Sequence, residues 1–251
     1  MAVVCLASAT GAPGVTTTSV GLAMFWPRDV VLVDVDRDAG QPILAGFLQG
    51  QDGGGRGMGA HAAAHREGRR LEPLTQVFHL IEDATVKRLF HPGFAHPAAA
   101  ALFAPVWTDF TAALGELRGG FDIVLDAGRV GPGLPEPLLA LADLLVLVVR
   151  SDLRSLAGLG GVIESVTERA SLADTRVVLA VIGPQRPYSA RDITAQFGHP
   201  VLVTLPWDPA AAEVLSDGAT STRRFMRSSL ARSLQDAALT LLRATEVEQM
   251  P

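Results

Sequence analysis

Residues 8–23 read "SATGAPGVTTTSVGLA", a glycine- and threonine-rich stretch between an apolar run and a helical one. The order strand, glycine-rich turn, helix is that of a phosphate-binding loop. Backbone amides there converge at a helix N-terminus, where the helix dipole favours an anion. Gly11 and Gly14 supply the permissive backbone, and Thr16 and Thr17 open the helix with a hydroxyl placed to meet Mg2+. The usual pattern is G-x-x-x-x-G-K-[ST]. Residues 9–16 give A-T-G-A-P-G-V-T, with Val15 in the lysine position. Taken alone, a strand-to-helix cap accounts for the match equally well.

Two stretches further along strengthen it. "VVLVDVDRDAGQP" closes an apolar run with Asp34 and Asp36, and "FDIVLDAG" (121–128) closes another with Asp126 before a small-residue turn. Each carboxylate falls at the C-terminal end of an expected parallel strand, where open α/β sheets bind ligands. A lone aspartate after a strand is usually a turn residue, but three around one glycine-rich loop point to a shared site.

The rest of the chain fits that frame. Strand candidates are "AVVCLAS" (2–8), "DVVLVDVD" (29–36), "FDIVLDAG" (121–128), "DLLVLVVR" (143–150), "TRVVLAVIG" (175–183) and "HPVLVTLP" (199–206), with "PLTQVFHLI" (73–81) a weaker one. They are continuously apolar, as strands covered on both faces are. The segments between them are long enough for helical crossovers. The expectation is therefore an α/β fold: a mostly parallel, doubly wound sheet flanked by helices. The 251 residues form one domain, 1–251, with no boundary or internal repeat.

Composition narrows the function classes. Hydrophobic residues make up 48% and charged ones 19%, which argues for a folded globular chain. A formal charge of -5 gives no general attraction to DNA phosphates or anionic lipid, although a local basic patch leaves DNA open. Cys5 is the one cysteine, so an internal disulfide and a cysteine-based zinc site are excluded. The N-terminus reads as a first strand rather than a signal peptide, and no stretch is long enough for a membrane span. A cytoplasmic protein is expected. Lys87 is the single lysine, so lysine chemistry is almost absent.

Residues 50–70, "GQDGGGRGMGAHAAAHREGRR", are compositionally odd and read as a glycine-, arginine- and histidine-rich surface loop. His61 and His65, four apart, would present two metal ligands on a helix, but no third ligand is evident. Ser189 followed by Asp192 suits a helix start at 190. In "TRRFMRSSLARSLQDAALTLLRA" (222–244), Phe225, Leu230, Leu234, Ala237 and Leu241 recur at helical spacing. Arg223, Arg224, Arg227 and Arg232 lie around that stripe. A helix packed on the domain is preferred to a membrane-surface helix.

With these motifs in order, the chain resembles the MinD/ParA family of P-loop ATPases, the deviant Walker A group of the SIMIBI class. That family's loop reads G-K-G-G-x-G-K-T-T before a helix ending N-L-A; here "ATGAPGVTT" runs into "TSVGLA". "VVLVDVD" is similar to the strand carrying the water-positioning aspartate, and "FDIVLDAG" to the Walker B strand. "ALADLLVLVVRSDLRSL" is similar to the family's A-D-x-h-h-h-V-x-x-P-x-x-x-S-L segment. "GHPVLVTLPWDP" resembles the segment before the last helix, whose turn, with Pro206, lies near the base.

The resemblance implies ATP or ADP with Mg2+ over residues 11–17: Gly11, Ala12, Pro13, Gly14, Val15, Thr16 and Thr17. It implies Thr16, Asp34 and Asp126 around the metal, Asp34 and Asp126 as catalytic carboxylates, and Asp36 beside them. It also implies a homodimer. Three positions depart. The signature lysine aligns with Thr10, the P-loop lysine with Val15, and the asparagine that reads adenine with Ile182 and Gly183. Arg37, Arg129, Arg150 and Arg154 follow strand ends and are the candidates to replace the lost charge, although each reads more simply as a surface residue.

Three functions stay open. One is a weak or pseudo-ATPase serving as a dimeric positioning or assembly factor. The TadZ/CpaE-like branch, which serves Flp-type pilus and secretion machinery, has members with altered loops. The second is a working partition or cell-division ATPase with a rewired loop. The third is a scaffold that no longer binds nucleotide.

Overall fold

The computed structural model describes residues 2–11, 14–38, 40–81, 83, 85–131, 134–219 and 223–246. In chain order the elements are β1 (Val3–Ser8), α1 (Val15–Phe25), β2 (Val30–Asp34), α2 (Met58–Arg66), β3 (Phe78–Ile81), β4 (Arg88–His91), α3 (Pro97–Ala101), α4 (Trp107–Leu117), β5 (Asp122–Arg129) and α5 (Glu136–Leu141). They continue with β6 (Leu144–Arg150), α6 (Leu153–Gly160), α7 (Ile163–Leu172), β7 (Arg176–Ile182), α8 (Ala190–Phe197), β8 (Val201–Leu205), α9 (Pro209–Ser216), α10 (Arg223–Met226) and α11 (Ser229–Glu246).

All eight strands join one sheet in the order β3-β4-β2-β5-β1-β6-β7-β8. Every pairing is parallel except β3 with β4 at one edge. Alternate residues of β1 explain its unbroken apolar sequence. Val3, Cys5 and Ala7 join one buried layer with Phe110 and Leu114 of α4, while Val4 and Leu6 join the other with Val20 of α1 and Leu234 of α11. A strand clothed on both faces has no polar side to show. The expected doubly wound α/β sheet is present.

Crossovers set the position of the loops. The β1-α1-β2 crossover lies on one face, and α5, between β5 and β6, lies on the other. The C-terminal ends of β1, β2, β5 and β6 are left adjacent, at the point where winding reverses. That is where such sheets bind ligands. Helix α1 is buried for most of its length because α11 covers it. A Cβ on Gly21 would lie 2.5 Å from Leu234 Cδ1, so the two helices pack with no side chain at that point.

Several local expectations change. Residues 58–66, expected within a surface loop, form α2: the alanines favour helix, and Met58, His61 and Ala64 are buried at helical spacing. The His61/His65 pairing also fails, because His61 Nε2 meets His91 Nε2 at 2.8 Å under Phe110 while His65 Nδ1 meets Asp109 Oδ2 at 2.9 Å. Of "PLTQVFHLI" only Phe78–Ile81 is strand, after a turn of 3-10 helix. A strand not foreseen, β4, pairs between β2 and β3. The C-terminal stripe is buried as expected, but its helix is broken between α10 and α11. The helix start at 190 carries the full Ser189–Asp192 capping box. Among the described residues no helix is long and apolar enough to cross a membrane.

Candidate functional site

The loop after β1 is fastened from below. Ser8 Oγ donates to Thr10 O at 2.8 Å and to Gly128 O at 3.2 Å, and Val130 N donates to Ser8 O at 2.8 Å. The glycine-rich loop is thereby tied to the turn after β5. Gly14 caps α1 with a φ of +101°, a left-handed conformation that lets the chain enter the helix abruptly. Thr18 N then donates to Gly14 O at 2.9 Å, the first turn of α1.

Neither position that the resemblance assigns to a lysine offers a substitute. Val15 is 5% exposed and joins the apolar layer beneath α1. Thr10 lies against α6, so close that a Cβ on Gly158 would collide with its methyl group.

A cavity of about 440 Å3 opens over the loop. Thr10, Gly11, Gly14, Val15, Thr16 and Thr17 line it from β1 and α1, Asp36 and Asp38 from the segment after β2, and Gly128, Arg129 and Arg150 from the ends of β5 and β6. Beside it lies a more apolar cavity of about 290 Å3, bounded by Ile182, Leu205, Pro206 and Trp207 and sharing Gly14, Thr17 and Arg150 with the first. The Arg150 guanidinium stacks 4.5 Å from the Trp207 ring centroid. A polar compartment beside an apolar one, sharing Gly14, Thr17 and Arg150, offers the two environments that a phosphorylated aromatic ligand needs.

The aspartates occupy different depths. Asp34 and Asp126 are neighbours in register on β2 and β5 and are 3% and 1% exposed. Asp34 Oδ1 accepts from Asp36 N at 3.0 Å, and the main chain at Gly93 is packed directly against its carboxylate. Asp126 Oδ1 accepts from Gly128 N at 3.1 Å, and the Thr16 hydroxyl is near enough to oppose the rise in this carboxyl's pKa. Asp126 Oδ2 is buried with no hydrogen-bond partner among the described residues. Asp36, not Asp34, lines the cavity wall. Burial raises the pKa of Asp34, and repulsion from Asp126 adds to this. Burial likewise raises Asp126, against the pull of Thr16 and Gly128, and raises Asp36.

This arrangement suits Mg2+. An unpartnered carboxylate oxygen beside a threonine hydroxyl, within a cluster of mutually repelling carboxylates, is relieved by a divalent cation. Mg2+ typically takes one or two carboxylates and completes its shell with water and phosphate oxygens. Among the described residues no group of three or more His, Cys, Asp or Glu forms a metal site without such help.

Of the residues expected at the site, Gly11, Gly14, Val15, Thr16, Thr17 and Asp36 share one cavity, and Pro206 lines its neighbour. Asp34 and Asp126 lie beneath, and Ala12 and Pro13 fall outside the described residues. Arg129 and Arg150, read from sequence as surface charges, line the cavity, and Trp207, which sequence reasoning did not single out, lines its neighbour. The signal for the arginines was the strand-end position that had already singled out the aspartates.

No protein-family model matches the sequence, and no curated protein matches it significantly. Solved structures do match in fold. A ParA family ATPase from Chlorobium tepidum TLS is 19% identical, covers 95% of this chain and 97% of its own, and superposes with a TM-score of 0.74. The septum site-determining protein MinD from Pyrococcus horikoshii OT3, complexed with Mg-ADP, is 16% identical over 100% of this chain and 99% of its own, with a TM-score of 0.70. Cobyrinic acid a,c-diamide synthase from Mycobacterium smegmatis, with an ATP analog and magnesium bound, is 18% identical over 99% and 97%, with a TM-score of 0.69. The chain therefore has the α/β fold of these ATP-site proteins, a fold that itself serves more than one chemistry.

Proposed function

We propose that the chain, with the fold of the MinD/ParA ATPases, binds ATP or ADP with Mg2+ in the paired cavities. We propose further that it turns ATP over slowly, as a weak or pseudo-ATPase acting in positioning or assembly. One observation carries this reading: the unpartnered Asp126 Oδ2 beside the Thr16 hydroxyl, under a loop that contains no lysine.

Thr16 and Asp126 would hold Mg2+, and Asp34 or Asp36 would orient water at the transferring phosphoryl group. Phosphoryl transfer is accelerated by positioning and by neutralising charge on the moving oxygens. Both loop lysines are absent, and Pro13 adds a position with no N–H to donate. Loss of a single electrostatic contact of this kind slows catalysis by about 10²–10³-fold. Binding can survive that loss better than turnover.

On this reading the protein is a cytoplasmic homodimer brought to a membrane or pole by its partners. The TadZ/CpaE-like branch, serving Flp-type pilus or secretion machinery, is the nearest assignment for a loop so altered. A second reading, a partition-type ATPase, is supported by the exposed Arg223, Arg224 and Arg227 around α10.

Calorimetry with ATP and ADP, paired with phosphate release, separates the readings. Binding with turnover far below one per second supports the proposal. Brisk turnover lost in Asp34→Ala, with DNA retention that falls steeply with salt and disappears without Arg223, Arg224 and Arg227, supports partition. No binding by either nucleotide leaves a scaffold.

A further inference from the structure

The loop has no lysine, yet a cation stands across its mouth. Arg129 ends β5 immediately after Gly128. Gly128 holds a φ of +58°, and any Cβ there would collide with the Asp36 carboxylate, so the turn is closed to other residues. The turn carries the Arg129 guanidinium onto the glycine-rich loop, with Nη2 3.3 Å from where a Cβ on Gly11 would sit. The same nitrogen lies 3.3 Å from Asp38 Oδ2, on the segment after β2. Both side chains are more than half exposed, at 52% and 65%. One guanidinium thus joins three loops at the cavity's rim.

We infer that Arg129 is the phosphate-neutralising cation of this site, relocated from the loop to the end of β5, and that Asp38 is the counter-ion it exchanges for phosphate. The inference rests on the nucleotide reading above and goes beyond it by naming the group that reads the phosphates and the contact that responds to them. An exposed ion pair is weak and screened by salt, whereas a guanidinium forks onto phosphate oxygens with two charge-assisted hydrogen bonds. Exchange therefore runs toward phosphate when phosphate is present. Asp38 then loses its tether to Arg129, so occupancy of the cavity is signalled to Asp38 at the surface.

The test is calorimetric titration of ATP, ADP and pyrophosphate, with Mg2+, into the wild-type chain and into Arg129→Ala, Arg129→Lys and Asp38→Asn. Urea unfolding of each variant checks that it folds. Arg129→Ala should weaken all three ligands by about tenfold or more, and Arg129→Lys should recover part of that. Asp38→Asn should tighten them by about threefold, because the competing carboxylate is gone. Equal binding by wild type and Arg129→Ala overturns this inference while leaving the nucleotide reading in place. Weaker binding by Asp38→Asn overturns the exchange. Failure of the wild type to bind any of the three removes the nucleotide reading and this inference together.

Discussion

Asp122 shows how much one side chain can organise. It is fully buried and accepts from Ala2 N at 2.7 Å, Trp26 Nε1 at 2.7 Å, and Arg28 Nε and Nη2 at 2.8 and 3.2 Å. These bonds fasten the start of β1 and the end of α1 to β5. Asp122→Ala strands several donors at once and should cost about 3 kcal/mol, read from the urea midpoint. The His61–His91 pair makes a separate prediction. Burial holds the His61 imidazole down to about 4, and burial together with neighbouring His61 holds His91 to about 3, both below the ordinary 6.5. The folded chain stays neutral there while the unfolded chain takes up protons, so this pair's stabilisation is complete above pH 6.5 and is lost as pH falls toward 4. Asp34 and Asp126, shifted upward by burial, act with the opposite sign. The difference between wild type and His61→Leu/His91→Leu isolates the histidines. Wild type should lose ground to that variant between pH 6.5 and 4, and a constant difference would contradict this account of the pair.

Among the elements, the turns at strand ends line the candidate cavity and the strands position them. Gly128→Ala tests this, because a methyl group there meets both an unfavourable φ and the Asp36 carboxylate. It should weaken nucleotide binding by more than about tenfold while lowering stability by about 1–3 kcal/mol. Binding unchanged in a folded Gly128→Ala would mean the turn has no part in the site. The central strands were legible because burial on both faces writes itself as an apolar run, and Asp34, Asp36 and Asp126 were legible because strand ends are marked by where those runs stop. β4 was not, since "RLFH" is four residues long and follows "VK", too short for a period to emerge. Helix α2 was hidden by Gly53, Gly54, Gly55, Gly57 and Gly59, although the alanines that follow favour a helix. Which carboxylate lines the cavity, and which arginine crosses it, depends on the relative height of neighbouring turns, a quantity with no sequence period.

The whole molecule is two apolar layers on one sheet, with the site at the edge where both meet the strand ends. The layer containing α1 also holds α9 and α11, so the chain's last described helix supports the helix that opens the loop. Leu234, 1% exposed between α11 and α1, is the contact to remove. Leu234→Ala should cost about 3 kcal/mol and loosen α1 at its packed middle. Thermal unfolding with and without nucleotide separates the stability loss from any loss of binding. The central claim is that a Mg2+-nucleotide sits where Asp126, Thr16 and the glycine-rich loop converge. Its most direct test is titration of ATP into the wild-type chain with Mg2+ and again with EDTA. A dissociation constant near ~10 μM that weakens by about tenfold or more in EDTA is predicted. No binding in either buffer, or equal binding in both, would contradict it.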